Sequence, residues 1–75
     1  MKKTVNYFTH TLQKYLASGE VEKWVFVLPN MDSPKFVLIT HFLGERPINV
    51  NEFSIETARH MWEERIAQGA KYVRE

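Results

Sequence analysis

The sequence contains no cysteine, so neither a disulfide bond nor a thiolate metal site can stabilise the fold. Its 75 residues leave room for one domain, residues 1–75. A chain of this size buries only about 60% of the surface that its unfolded form exposes, and many small domains therefore depend on cross-links, metals or oligomerisation. Self-association is the simplest source of the missing stability.

Long apolar runs are also absent. A secretory signal peptide needs an apolar stretch behind its first charged residues, and a membrane-spanning helix needs about 18 apolar residues. Lys2 and Lys3 near the start are not followed by such a stretch, and no later segment approaches that length. We therefore expect a cytosolic protein that does not contact a membrane.

Neither sign of charge dominates the chain. Ten basic residues stand against nine acidic ones, which gives a net charge of +1, and only Lys2 and Lys3 are adjacent basic residues. Proteins that bind nucleic acids usually cluster their Lys and Arg residues, because each neutralised phosphate adds to the affinity. The composition thus gives nucleic-acid binding no support, although folding can gather basic residues that the sequence separates.

Motifs for catalysis are missing as well. Gly19, Gly44 and Gly69 stand singly rather than in a phosphate-binding loop, and no serine lies in a Gly-x-Ser-x-Gly sequence. His41 ends an apolar segment, where a hydrogen-bonded sheet histidine is a more common outcome than a catalytic base. We expect neither enzymatic activity nor a cofactor.

The first apolar pattern, over residues 5–16, predicts a helix. Its apolar residues recur mainly at intervals of three and four, at Val5, Phe8, Leu12, Tyr15 and Leu16. Such spacing is typical of one face of a helix. Ser18 and Gly19 follow, and glycine readily adopts the left-handed conformation that closes a helix.

The centre of the chain predicts a β-hairpin. Residues 21–28 and 35–43 are both rich in β-branched and aromatic side chains, which favour strands. Residues 29–34 between them combine Pro, Asn, Asp and Ser, the residues that turns use most. Residues 48–51, beyond a break at Gly44, are either a loop or a short edge strand.

A second helix is predicted from Ser54, which is a good N-cap, to Gly69, which is a good C-cap. Its apolar stripe consists of Ile55, Ala58, Met61, Trp62 and Ile66. Residues 70–74 alternate weakly and could add a third strand. The predicted fold is α+β: an antiparallel hairpin or three-stranded sheet with two helices, in the order α-β-β-α(-β).

Three residues of this helix region, Ala58, Trp62 and Gly69, carry a resemblance to short uncharacterised cyanobacterial proteins. In those proteins a helix with an Ala, a Trp four residues on and a Gly seven later ends the domain after two strands. The resemblance covers roughly residues 35–73, and Ala70 stands where an aromatic residue usually follows the glycine. It implies no known activity and suggests a small accessory protein of a photosynthetic bacterium or its phage.

His60 lies among carboxylates, with Glu56 and Glu64 four residues to either side and Glu63 three residues ahead. Carboxylates and an imidazole on one helical face could bind a divalent metal. The spacing is not His-Glu-x-x-His, however, and charged residues four apart are common on any solvated helix. We favour an ordinary surface face and expect no metal site.

Both faces of the predicted hairpin are apolar. The first strand would direct Trp24, Phe26 and Leu28 to one face, and Val21, Val25 and Val27 mostly to the other. The second strand would direct Phe36, Leu38 and Phe42 to one face, and Val37, Ile39 and Leu43 to the other. Two short helices cover one face of a small sheet, so either the helices straddle the sheet or the second face is an interface. We favour the interface.

The sequence therefore predicts a non-catalytic protein–protein interaction module or small accessory subunit, which forms a homodimer or docks on a larger protein. Trp24, Phe26, Phe36 and Phe42 are the predicted partner-binding residues, because aromatic side chains are common hot spots. The alternative is a small nucleic-acid-binding regulator, since Trp24 and Phe26 share one strand face and aromatic residues on a sheet can stack on single-stranded bases.

Overall fold

The computed structural model describes residues 7–29 and 34–73. These residues form one antiparallel sheet with the strand order β4-β3-β2-β1-β5, and one helix, α1. Along the chain the elements are β1 (Tyr7–Tyr15), β2 (Val21–Pro29), β3 (Phe36–Leu43), β4 (Arg46–Ser54), α1 (Ile55–Ala67) and β5 (Lys71–Val73). The order is β-β-β-β-α-β.

The predicted two-helix fold is wrong, because the segment expected to form the first helix contains strand β1. Phe8 and Leu12 are four residues apart, a spacing that suits one side of a helix and equally one face of a strand. β1 pairs with β2 over nine positions, from Tyr7 opposite Pro29 to Tyr15 opposite Val21. This long ladder outweighs a helical preference that the β-branched threonines of the segment already weaken. Residues 5 and 6 of the predicted helix lie outside the described residues.

The residues predicted to end that helix form a hairpin turn instead. The amide of Gly19 donates to the carbonyl of Leu16 at 2.9 Å, and the amide of Leu16 donates to the carbonyl of Glu20 at 2.8 Å. Gly19 has a φ of 94°, as expected for the left-handed residue that closes a three-residue hairpin loop. Gly19 therefore does not end a helix but closes the loop between β1 and β2.

The central hairpin is confirmed. β2 and β3 pair antiparallel, with Trp24 opposite His41 and Phe26 opposite Ile39. The middle of the predicted turn, residues 30–33, lies outside the described residues. The open question of residues 48–51 is resolved in favour of a strand, since they belong to β4, which pairs with β3 from Phe36 to Leu43.

The predicted second helix is confirmed as α1. The hydroxyl of Ser54 accepts a hydrogen bond from the amide of Thr57 at 3.2 Å, so Ser54 is the N-cap. The helix ends at the cap Gln68, and Gly69, at a φ of 106°, turns the chain back. Residues 70–74 contain the suggested additional strand, since β5 (Lys71–Val73) pairs with β1. The helix α1 has 13 residues and is neither long enough nor apolar enough to cross a membrane.

The core lies between α1 and one face of the sheet, which we call the covered face. Its buried hydrophobic residues are Leu12, Trp24, Phe26, Val37, Ile39, Ala58 and Ala70. The half-buried Met61 and Trp62 of α1 pack against this cluster, and α1 contacts β1, β3 and β4. We call the opposite face the open face, since no helix or strand among the described residues packs on it.

Candidate interaction surface

The register of the strands determines which residues lie on the open face. Val25 of β2 is opposite Thr11 of β1 and Thr40 of β3, and this row continues to Val73 of β5 and Val50 of β4. Direct cross-strand partners point to the same face of a sheet. Because the neighbours Trp24 and Phe26 point into the core, the whole row points away from α1.

Two further rows flank this central row. On one side, the cross-strand partners are Lys71, Gln13, Lys23, Phe42 and Pro47, from β5 to β4. On the other side, they are Thr9, Val27, Leu38 and Glu52, from β1 to β4, followed by the pair Phe36 and Ser54. The open face thus has apolar residues on β2, β3 and β4 and a threonine-rich strip on β1. Its charged residues are Lys71 and Glu52 near two corners and Lys23 on β2.

Large apolar side chains of this face are exposed to solvent. The exposed fraction is 52% for Phe36, 42% for Leu38 and 52% for Val50. An antiparallel sheet with one face in water usually carries polar residues there. A contiguous apolar patch on a small protein is typical of an interaction site.

The four predicted partner-binding residues divide between the two faces. Trp24 and Phe26 are 5% and 4% exposed and belong to the core beneath α1. Phe36 and Phe42 lie on the open face, where Phe42 is opposite Lys23. Within each strand the alternation was evident from the sequence, but the pairing that places Phe26 beside Ile39 was not. Leu38 and Val50 were not among the predicted residues.

A shallow depression of about 360 Å³ lies on the open face towards β5. It is lined by Thr11, Gln13, Lys23, Val25, Phe42, Gly44, Glu45 and Val73. Thr11 and Val25 contribute short side chains to this lining, and Gln13 and Lys23 contribute longer ones. The depression is too open to enclose a small molecule, but an apolar side chain from another protein could fill it.

The charged residues of the open face have no ion partners among residues 7–29 and 34–73. The ion pairs in this part of the chain are His41 with Glu22 and His60 with Glu64. Lys23 and Lys71 are in one row, and Glu52 is at the far side of the sheet. These charges are therefore available to an approaching molecule.

The edge strand β4 is less suited to binding than the open face. Every residue from Arg46 to Glu52 is exposed, but a β-bulge at His41 and Phe42 interrupts its register with β3. Pro47 in this strand has no amide hydrogen to donate. Bulges and prolines are features by which edge strands avoid pairing with other chains.

The covered face holds a cluster around Trp24. The ring of His41 stacks on that indole at 5.4 Å between centroids, and the His41 Nε2 atom lies 2.7 Å from Oε2 of Glu22. The guanidinium of Arg65 in α1 lies 5.0 Å from the centroid of the Trp24 ring. His41 is thus the hydrogen-bonded sheet histidine that the sequence predicted, and Trp24, on which it stacks, contacts Arg65 of α1.

The other two histidines lie apart from the open face. The Nδ1 atom of His10 is 3.2 Å from the hydroxyl of Tyr72, and its ring meets Trp62 edge-on. His60 is on the surface, where its Nε2 atom is 3.5 Å from Oε2 of Glu64. No group of three or more His, Asp or Glu side chains in the described ranges is arranged to hold a metal ion.

Comparisons with protein-family models, with curated proteins and with solved structures found no match to this chain. The covered face is occupied by α1, and the histidines there are held by aromatic and carboxylate neighbours. The open face carries exposed apolar residues that no helix or strand among the described residues covers.

Proposed function

We propose that this chain is a non-catalytic protein–protein interaction module that binds its partner through the open face of the sheet. The observation that supports this function is the exposure of Phe36, Leu38 and Val50, each between 42% and 52%, on the face opposite α1. Burial of apolar surface is worth about 25 cal/mol per Å², so covering these side chains favours association.

The distribution of residue types over the face supports the same function. Val25, Val27 and Leu38 adjoin one another near its centre, with Lys23 beside Val25 on β2. Lys71 and Glu52 lie at its corners. Specific protein interfaces combine an apolar centre with a polar rim in this way. The apolar centre supplies affinity, and the charged corners restrict the orientation of the partner.

A protein partner suits this face better than a nucleic acid. Trp24 and Phe26, the aromatic residues expected to stack on bases, are buried beneath α1. The face carries two lysines, Lys23 and Lys71. The acidic residue Glu45 lines the depression together with Lys23. Binding of single strands normally combines exposed aromatic residues with a continuous basic groove.

Site-specific photo-crosslinking in the native cell tests the proposal. A benzophenone amino acid replaces Leu38 on the open face or, as a control, Glu63 on the exposed side of α1. We expect covalent adducts with one defined protein from position 38 and none from position 63. Mass spectrometry of the adducts distinguishes a second copy of the chain from another protein.

Two results would contradict the proposed function. One is equal crosslinking at the two positions, because the open face would then have no preference for a partner. The other is an adduct with RNA or DNA from position 38, which would instead support the nucleic-acid-binding alternative. Illumination of lysate at high ionic strength provides a further control, since apolar contacts resist salt and phosphate contacts do not.

A further inference from the structure

We infer that the partner of the open face is a second copy of this chain, and that Glu52 of each copy pairs with Lys71 of the other. This inference rests on the proposed function and specifies its partner. It follows from the size of the face and from the positions of Glu52 and Lys71. The physical basis is that a surface can bind its own copy across a two-fold axis only if it is self-complementary.

The size of the open face suits a partner of equal size. With strands about 4.8 Å apart and residues about 3.3 Å apart, eight residues of four strands cover about 19 by 26 Å, or about 500 Å². Side chains raise the accessible area above this planar value, towards the roughly 800 Å² per partner of a standard interface. A single peptide strand would leave most of the face in water, whereas a second copy presents a face of the same size.

Glu52 and Lys71 lie at opposite corners of the face. Glu52 follows Val50 by two residues on β4, and Lys71 precedes Val73 by two residues on β5. Val50 and Val73 are in the same row. The two edge strands β4 and β5 run in the same sense, because four successive antiparallel pairings separate them. By strand geometry the two charges are roughly 23 Å apart, which is too far for an ion pair within one copy.

A two-fold axis in the plane of the interface, passing over Val25, exchanges these two corners. Glu52 of one copy then faces Lys71 of the other, and the same pair forms at the opposite corner. If the sheet is approximated as flat about its central strand β2, the axis is inclined about 35° to β2, and the β2 strands of the two copies cross at about 70°, near the orthogonal class of sheet packing. Both charges gain a partner without any change in the fold.

The same operation accounts for two apolar features of the face. It places Leu38 over Thr11 and Val73 of the second copy, where the depression lies. It also places Phe42 opposite Phe42 of the second copy, next to the axis. A hydrophobic side chain over the depression and an aromatic pair at the axis are contacts of the kind that stabilise interfaces.

Charge reversal at the two corners tests this geometry. Purified E52K and K71E variants are compared with the unchanged chain by analytical ultracentrifugation at low salt, and circular dichroism checks their fold. Each variant alone should dimerise about tenfold more weakly, because both corner pairs become repulsive. An equimolar mixture of E52K and K71E should dimerise as strongly as the unchanged chain, because each corner again joins opposite charges.

Matched variants away from the open face provide the control. E63K changes the net charge by as much as E52K, and K35E by as much as K71E; both positions are exposed. E63K, K35E and their mixture should dimerise like the unchanged chain. A mixture of E52K and K71E that associates no better than either variant alone would overturn the corner pairing.

A chain that stays monomeric at high concentration would overturn the second copy as partner. The crosslinking experiment would still test whether the chain is an interaction module. In that experiment an adduct with a different protein at position 38 would identify the partner. A dimer that persists unchanged in all variants, but dissociates when Leu38 is replaced by glutamine, would retain the open face and refute the pairing of Glu52 with Lys71.

Discussion

The ring of His41 lies parallel to the indole of Trp24, with an angle of 5° between the planes and 5.4 Å between the centroids. The two residues are direct cross-strand partners in β2 and β3. Arg65 of α1 approaches the same indole. Trp24 therefore joins the central hairpin to the helix, and the stability of the covered face depends on it.

Replacing Trp24 by alanine should lower the free energy of unfolding by about 3–5 kcal/mol, enough to unfold much of a small domain. The loss combines a cavity in the core with the loss of the contacts to His41 and Arg65. Urea unfolding followed by circular dichroism measures it. Tyr15→Ala is the control, because Tyr15 is 72% exposed and should change stability little. Equal effects of the two substitutions would refute the burial of Trp24.

Leu38 and Ile39 are neighbours in β3 that lie on opposite faces, with exposed fractions of 42% and 3%. Ile39→Gln should destabilise the fold by more than about 2 kcal/mol, because it buries an amide in the core. Leu38→Gln should change the stability of the dilute protein by less than about 0.5 kcal/mol but weaken its association. Thermal unfolding at low concentration and light scattering at high concentration separate these two effects. The opposite ranking would mean that the faces are wrongly assigned.

Glu22 and His41 should contribute to stability as a pair. Glu22→Ala is expected to cost about 0.5–1.5 kcal/mol, the usual net value of a hydrogen bond, since both side chains are about three-quarters buried. In a His41→Phe background, which keeps a ring over Trp24 but removes Nε2, Glu22→Ala should cost nothing further. A double-mutant cycle by urea unfolding measures this coupling, and additive effects would show that the contact contributes nothing.

Ser54 should stabilise the start of α1. Ser54→Ala removes the acceptor of the Thr57 amide and should cost about 1 kcal/mol. Ser54→Asp retains an acceptor at this position and should cost much less. Thermal unfolding of the two variants gives the comparison. Similar losses would show that the interior of the helix, rather than its cap, determines the position of its first turn.

The helix and the central hairpin were predictable because their signals are local. Ser54 caps an amide three residues away, and Gly69 reverses the chain directly after the last helical turn. The β-branched and aromatic residues of β2 and β3 favour strands whatever their neighbours. In these segments the local preference and the tertiary structure agree.

Strand β1 was not predictable from its pattern. Phe8 and Leu12 are four residues apart, and this interval fits both helix and strand periods. The choice depends on nine cross-strand partners in β2, which lie up to 22 residues away in the sequence, from Tyr7 opposite Pro29. A pairing over such a distance leaves no mark within the segment itself.

The sequence by itself determined that both sides of the central hairpin are apolar, that few charges of one sign cluster, and where α1 begins and ends. Only the tertiary structure decided which side α1 covers, and hence that Trp24 and Phe26 are core residues while Phe36 and Phe42 lie on the open face. The reason is physical: side-chain alternation is a property of one strand, whereas the assignment of a face depends on the register between strands and on the path of the chain from β4 into α1.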